Sequence, residues 1–105
     1  MPTRQFGSYD IEVDRDGHLA DASQWTPELA QAIAHAVGVG RLSARHWDVI
    51  NFCREQTRAS GAVPGLRHIA RGSGVSLQEL YDLFPRVPGK LAALLAGLSK
   101  PKSCI

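Results

Sequence analysis

Apolar residues recur along the chain with two periods. Tyr9, Ile11 and Val13 alternate with Asp10, Glu12 and Asp14, the period of a half-buried strand. Asp16-Gly17 comes next as a turn dipeptide that tolerates positive φ, and His18-Leu19-Ala20 can return as a short second strand. A lone hairpin is marginal in water, so this one must pack on the helices C-terminal to it. The period then lengthens. Leu29, Ile33 and Val37 form one helical stripe, opened by Thr26 as cap, Pro27 in the first turn and Glu28 at the positive dipole end, and stopped by Gly38. A second helix runs from Ser43 to about Ser60, with Trp47, Ile50, Cys53 and Thr57 on one face, Val49 and Phe52 beside them and Gly61 closing it. Pro64-Gly65 precedes a short helix holding Leu66, Ile69 and Ala70, which Gly72-Ser73-Gly74 breaks. Ser76-Leu77-Gln78-Glu79 has the form of a capping box and predicts a helix from Leu77 to before Pro85. Pro88-Gly89 opens a last helix bearing Leu91, Leu94, Leu95 and Leu98.

Past Gly97 the apolar face ends, and Pro101 cannot continue a helix. Residues 98–105 are expected to form an extended, mobile arm. The pattern as a whole predicts an α+β fold. A small N-terminal β-hairpin packs on an array of about five helices in a single domain over 1–97, with the arm attached.

Composition agrees with one globular domain: 105 residues, 44% hydrophobic and 21% charged. The net charge of +2 excludes a polycationic tail. Residues 1–60 hold six arginines against eight carboxylates, whereas residues 61–105 hold six Lys or Arg against Glu79 and Asp82. The basic half suits an acidic partner or RNA. The longest apolar run, Leu91 to Ala96, is too short to cross a bilayer, and Met1 to Asp10 lacks an apolar targeting core. No membrane partner is expected, and the expected location is the cytoplasm, where thiols stay reduced. His18, His35, His46 and His68 are scattered, and two cysteines without a CxxC do not make a zinc site. No metal and no cofactor is expected.

The two cysteines differ in setting. Cys53 lies inside an apolar helical stripe, where a free cysteine is a small buried hydrophobe. Cys104 lies on the expected arm, between Lys102 and the carboxylate of Ile105. Lys100 and Lys102 favour its thiolate, the nucleophilic form, and a single thiol with reach suits carriage of a group such as a persulfide. A hydrolytic cysteine needs a base held by a rigid scaffold, and no Ser/His/Asp order, phosphate loop or paired-carboxylate motif is present. A competing reading comes from residues 69–84, which resemble the helix-turn-helix of TetR-type repressors. Gly74 would make the turn and Ser76 to Tyr81 would enter the major groove of DNA. Against it, the second helix carries Glu79 and Asp82 and no basic residue, which phosphate repels.

From about Tyr9 to Ile105 the chain resembles the DsrC/TusE family. The segments that carry the likeness are Asp16-Gly17-His18-Leu19 with Ser23-Gln24-Trp25, His46 to Phe52, Leu80 to Pro85 and, above all, the ending Ala96-Gly97-Leu98-Ser99-Lys100-Pro101-Lys102-Ser103-Cys104-Ile105. The resemblance implies a hairpin on a helical array and Cys104 as the sulfur-carrying residue. It also implies partners that donate and accept sulfur: a Tus-type relay, a tRNA thiolase or sulfite reductase. Arg67 matches a basic position of the family and would stabilise a thiolate or persulfide anion, while Lys90 and Lys100 would guide the arm to an acidic partner. Fuller members carry a second arm cysteine where this chain has Ala93, so an internal disulfide or trisulfide across the arm is excluded. The expected function is a single-thiol sulfur carrier rather than a free-standing enzyme. The alternatives are a DNA-binding or regulatory module and a non-catalytic partner of sulfite reductase.

Overall fold

The structure, a computed structural model, describes residues 2–101. It opens with an antiparallel hairpin of β1 (Thr3–Phe6) and β2 (Tyr9–Glu12), in the register Thr3 to Glu12 and Phe6 to Tyr9. Gly7, at φ 60°, opens the two-residue turn, a glycine-first connection that suits the strand twist. The expected partner of β2, His18 to Ala20, does not form a strand. Only one bridge survives there, between Val13 and Leu19. The Asp16-Gly17 turn does form, because the Asp14 carboxylate accepts from the Asp16 and His18 amides at 2.9 and 3.1 Å. β1 escaped the pattern because Phe6 is its one buried residue, which leaves no alternation to detect.

Five helices complete the domain: α1 (Pro27–Ala36), α2 (Ala44–Ser60), α3 (Leu66–Gly72), α4 (Leu77–Leu83) and α5 (Pro88–Leu95). Their starts obey local chemistry. Thr26, Ser43 and Ser76 each accept a backbone N–H of the first turn. The Ser76 box is only half reciprocal as found, because the Glu79 carboxylate turns to Arg45 at 2.8 Å. That ion pair holds Glu79 below the usual carboxylate range. At α2, by contrast, His46 closes a full box with Ser43. Its Nδ1 accepts from the Ser43 amide at 3.0 Å, so Nε2 bears the proton and donates to the Leu83 carbonyl at 3.0 Å. One ring thus ties the start of α2 to the end of α4.

The core runs from Phe6 and Ile11 through Leu29, Ile33, Val49, Ile50 and Ile69 to Phe84 and Leu95. α5 packs against each of the other four helices. Its Ala92 and Ala93, and Ala96 just past its end, are buried beside Leu94 and Leu95, small residues that let neighbours approach. Among the described residues no helix is long and apolar enough to cross a membrane.

Candidate functional site

The expected arm begins at the end of α5, where the backbone is unusually well held. A helix leaves its last carbonyls without helical partners. Here the chain turns at Gly97, φ 74°, and the Gly97 and Leu98 amides donate back to Leu94 and Ala93 at 3.1 and 2.9 Å, a Schellman closure. The next carbonyls are met by side chains. Trp25 Nε1 donates to Leu95 O at 2.8 Å, and Arg54 Nη1 to Ala96 O at 2.8 Å. His18 Nδ1 lies 2.9 Å from Leu98 O. A carbonyl only accepts, so this nitrogen carries the proton.

Each of these side chains is fixed locally. His18 sits on the turn built by Asp14. Trp25 closes a short 3-10 turn, Ala22–Gln24, capped by Asp21, whose carboxylate accepts from the Ser23 amide at 2.9 Å. Arg54 stands on α2 with its guanidinium 3.8 Å from the centroid of the Trp25 ring, a cation–π stack. Burial, then the neighbouring Arg58, hold Arg54 below the usual arginine range, yet an arginine so perturbed stays charged. A cation at a helix C-terminus also suits the dipole. Gly97 is required twice over: by its φ, and because a Cβ there would lie 2.5 Å from the Trp25 ring.

Of the described residues beyond Gly97, not all extend away from the domain as the expected arm would. Leu98 packs on the core, Pro101 is buried, and Ser99 and Lys100 line a small hollow with Gly61, Ala62 and Val63. Cys104 lies outside the described residues, as do Lys102, Ser103 and Ile105. Lys90 is exposed on the first turn of α5 and Lys100 is half-buried beyond its last, so the two stand at opposite ends of that helix. Arg67 is exposed on α3, beside a groove it shares with Ala70, Arg71 and Leu77. Arg67 and Lys100 therefore line different hollows. Cys53 is fully buried, and burial pushes its thiol up to about 12, which makes it a poor nucleophile.

Residues 69–84 do form two helices about a glycine turn, with Gly74 at φ 80°. The second helix turns Leu77, Gln78, Tyr81 and Asp82 outward, and none of these side chains is a cation for phosphate. Among the described residues no three His, Cys, Asp or Glu gather as a metal site.

His18, Trp25 and Arg54 were not singled out by sequence as a group. They meet the arm root across 80, 70 and 42 positions of chain, beyond any local period. The one available signal was the pairing of a bulky Trp25 with a glycine at the end of the last helix.

A family model described as DsrC like protein matches residues 5–105. The gamma subunit of dissimilatory-type sulfite reductase from Nitratidesulfovibrio vulgaris is 36% identical over 95 residues, 90% of each chain. Sulfurtransferase TusE of Escherichia coli is 36% identical over 107 aligned positions, 95% of this chain and 97% of TusE. Among solved structures, a chain of the crystal structure of dissimilatory sulfite reductase I superposes with a TM-score of 0.83 at 36% identity, covering 99% of this chain and 100% of that one.

Proposed function

The chain belongs to the DsrC family, and from that premise we propose that it carries sulfane sulfur as a persulfide on Cys104, at the end of an arm over residues 98–105. A sulfur-relay role in general follows from its relatives, among them a sulfurtransferase and a sulfite reductase subunit. The observation that favours a single working thiol is the burial of Cys53, which leaves Cys104 as the one other cysteine of the sequence. In the transfer, the Cys104 thiolate attacks the outer sulfur of a donor persulfide. The donor S–S bond breaks, a new S–S bond forms on Cys104, the proton stays with the moved sulfur, and the donor leaves as its thiolate. No external oxidant is needed, and no cofactor takes part.

With Ala93 buried on α5 and no second arm thiol, the persulfide has no internal partner and must be handed to another protein. Donor and acceptor are proteins of a cytoplasmic relay. Lys100 beside the arm root, and Lys90, favour an acidic partner face, and the Arg67 guanidinium would steady the thiolate or persulfide anion.

The test is intact mass after incubation with glutathione persulfide. The wild type should gain one sulfur atom and Cys104→Ala none. A wild type that gains nothing, or a variant that gains as much, ends the proposal.

A further inference from the structure

Three side chains from separate parts of the chain converge on the Leu95, Ala96 and Leu98 carbonyls, at the point where the arm leaves the domain. Water alone would satisfy such carbonyls at an ordinary helix end. Each contact is directed at backbone, so it fixes the path of the chain there. The hold continues outward to Pro101, which is buried.

We infer that His18, Trp25 and Arg54 are positioning residues that clamp the arm root, so that Cys104 works from a pivot at Pro101 rather than from the end of α5. The inference rests on the sulfur-carrier reading for its purpose, but its geometry is independent of it. Cys104 lies three residues beyond Pro101, a reach of about 10 Å fully extended. A pivot at Gly97 would allow seven residues and about 24 Å. A clamped root therefore shortens the reach of Cys104. The partner must bring its sulfur atom to the face around Pro101, beside Gly61, Ala62 and Val63.

The clamp can be read on the full chain with a nitroxide attached to Cys104, Cys53 being buried and left unlabelled. In the wild type, paramagnetic broadening of backbone amides should be confined to the surroundings of Pro101, including Gly61 to Val63. Arg54→Met removes the donor to Ala96 O, and Trp25→Phe removes the donor to Leu95 O while keeping a ring. In each, broadening should spread to distant amides, and the Leu98 amide should exchange about tenfold faster, the scale of one lost hydrogen bond. Arg54→Lys, which can still donate, should restore most of the wild-type pattern. Arg54 is only half-buried, so its variants should keep the wild-type far-UV circular dichroism, which is checked first. Broadening and exchange identical to wild type in the folded Arg54→Met and Trp25→Phe proteins would overturn the clamp. The persulfide mass assay on the same proteins separates the two ideas: absent sulfur uptake removes the carrier function and leaves the clamp, while unchanged broadening removes the clamp alone.

Discussion

Cys53 shows how position decides what a thiol does. It is fully buried on α2, and burial moves its pKa from 9.0 to about 12. In the folded protein it should resist alkylation, so native protein treated with iodoacetamide at mild alkaline pH takes one label and denatured protein takes two, by intact mass. Two labels on the native state would mean that the core opens readily. The same shift makes stability depend on pH. The folded state binds this proton more tightly than the unfolded chain, so its contribution is whole below about pH 9 and is lost as pH rises towards 12. Cys53→Ala should cost about 1 kcal/mol at neutral pH, the scale for removing one buried heavy atom. It should also flatten the fall of the urea midpoint above pH 9. Parallel curves for the two proteins would refute the assignment.

Element ends show what each glycine is for. Gly38 and Gly97 both come after a helix with positive φ, 85° and 74°, and both close a Schellman pair. Their surroundings differ: a Cβ on Gly38 meets open space, whereas one on Gly97 meets the Trp25 ring. Gly38→Ala should cost about 1 kcal/mol, the left-handed penalty alone, and Gly97→Ala about 3 kcal/mol once overpacking is added. Thermal unfolding would measure both, and equal costs would mean that Trp25 moves aside freely. Most of these ends were legible in the sequence, since Thr26, Ser43, Ser76 and Gly61 act through neighbours within a turn; the last helix, expected to bear Leu98, instead stops at Leu95, because Gly97 turns the chain against Trp25. β1 was not legible, because three of its four side chains face water. Nor was the box at Ser43, because histidine at the third helical position is an uncommon partner and His46 is held as much by Leu83 as by Ser43. The cysteine bearing the proposed function was legible from family likeness and its place in the chain, while the clamp that aims it was not, because it joins residues that only the fold brings together.

At the scale of the molecule, α5 is where stability and the proposed carriage meet. It touches α1, α2, α3 and α4, and the described arm root, residues 98–101, follows its last turn, so that root takes its anchorage from the helix with the most helical partners. Leu95, fully buried there, offers its carbonyl to the clamp and its side chain to the core. Leu95→Ala should lower stability by about 3 kcal/mol, within the range for a buried leucine. Because α5 contacts every other helix, the loss should be shared by the domain: the urea transitions tracked by far-UV circular dichroism and by tryptophan fluorescence, from Trp25 at the arm root and Trp47 on α2, should shift together and remain coincident. Leu77→Ala, on a side chain 46% exposed on α4, should change stability by no more than about 0.5 kcal/mol. If Leu95→Ala instead separated the two transitions, α5 and the arm root would melt as a unit apart from the rest, and the rigidity on which a fixed pivot depends would be local rather than supplied by the whole core.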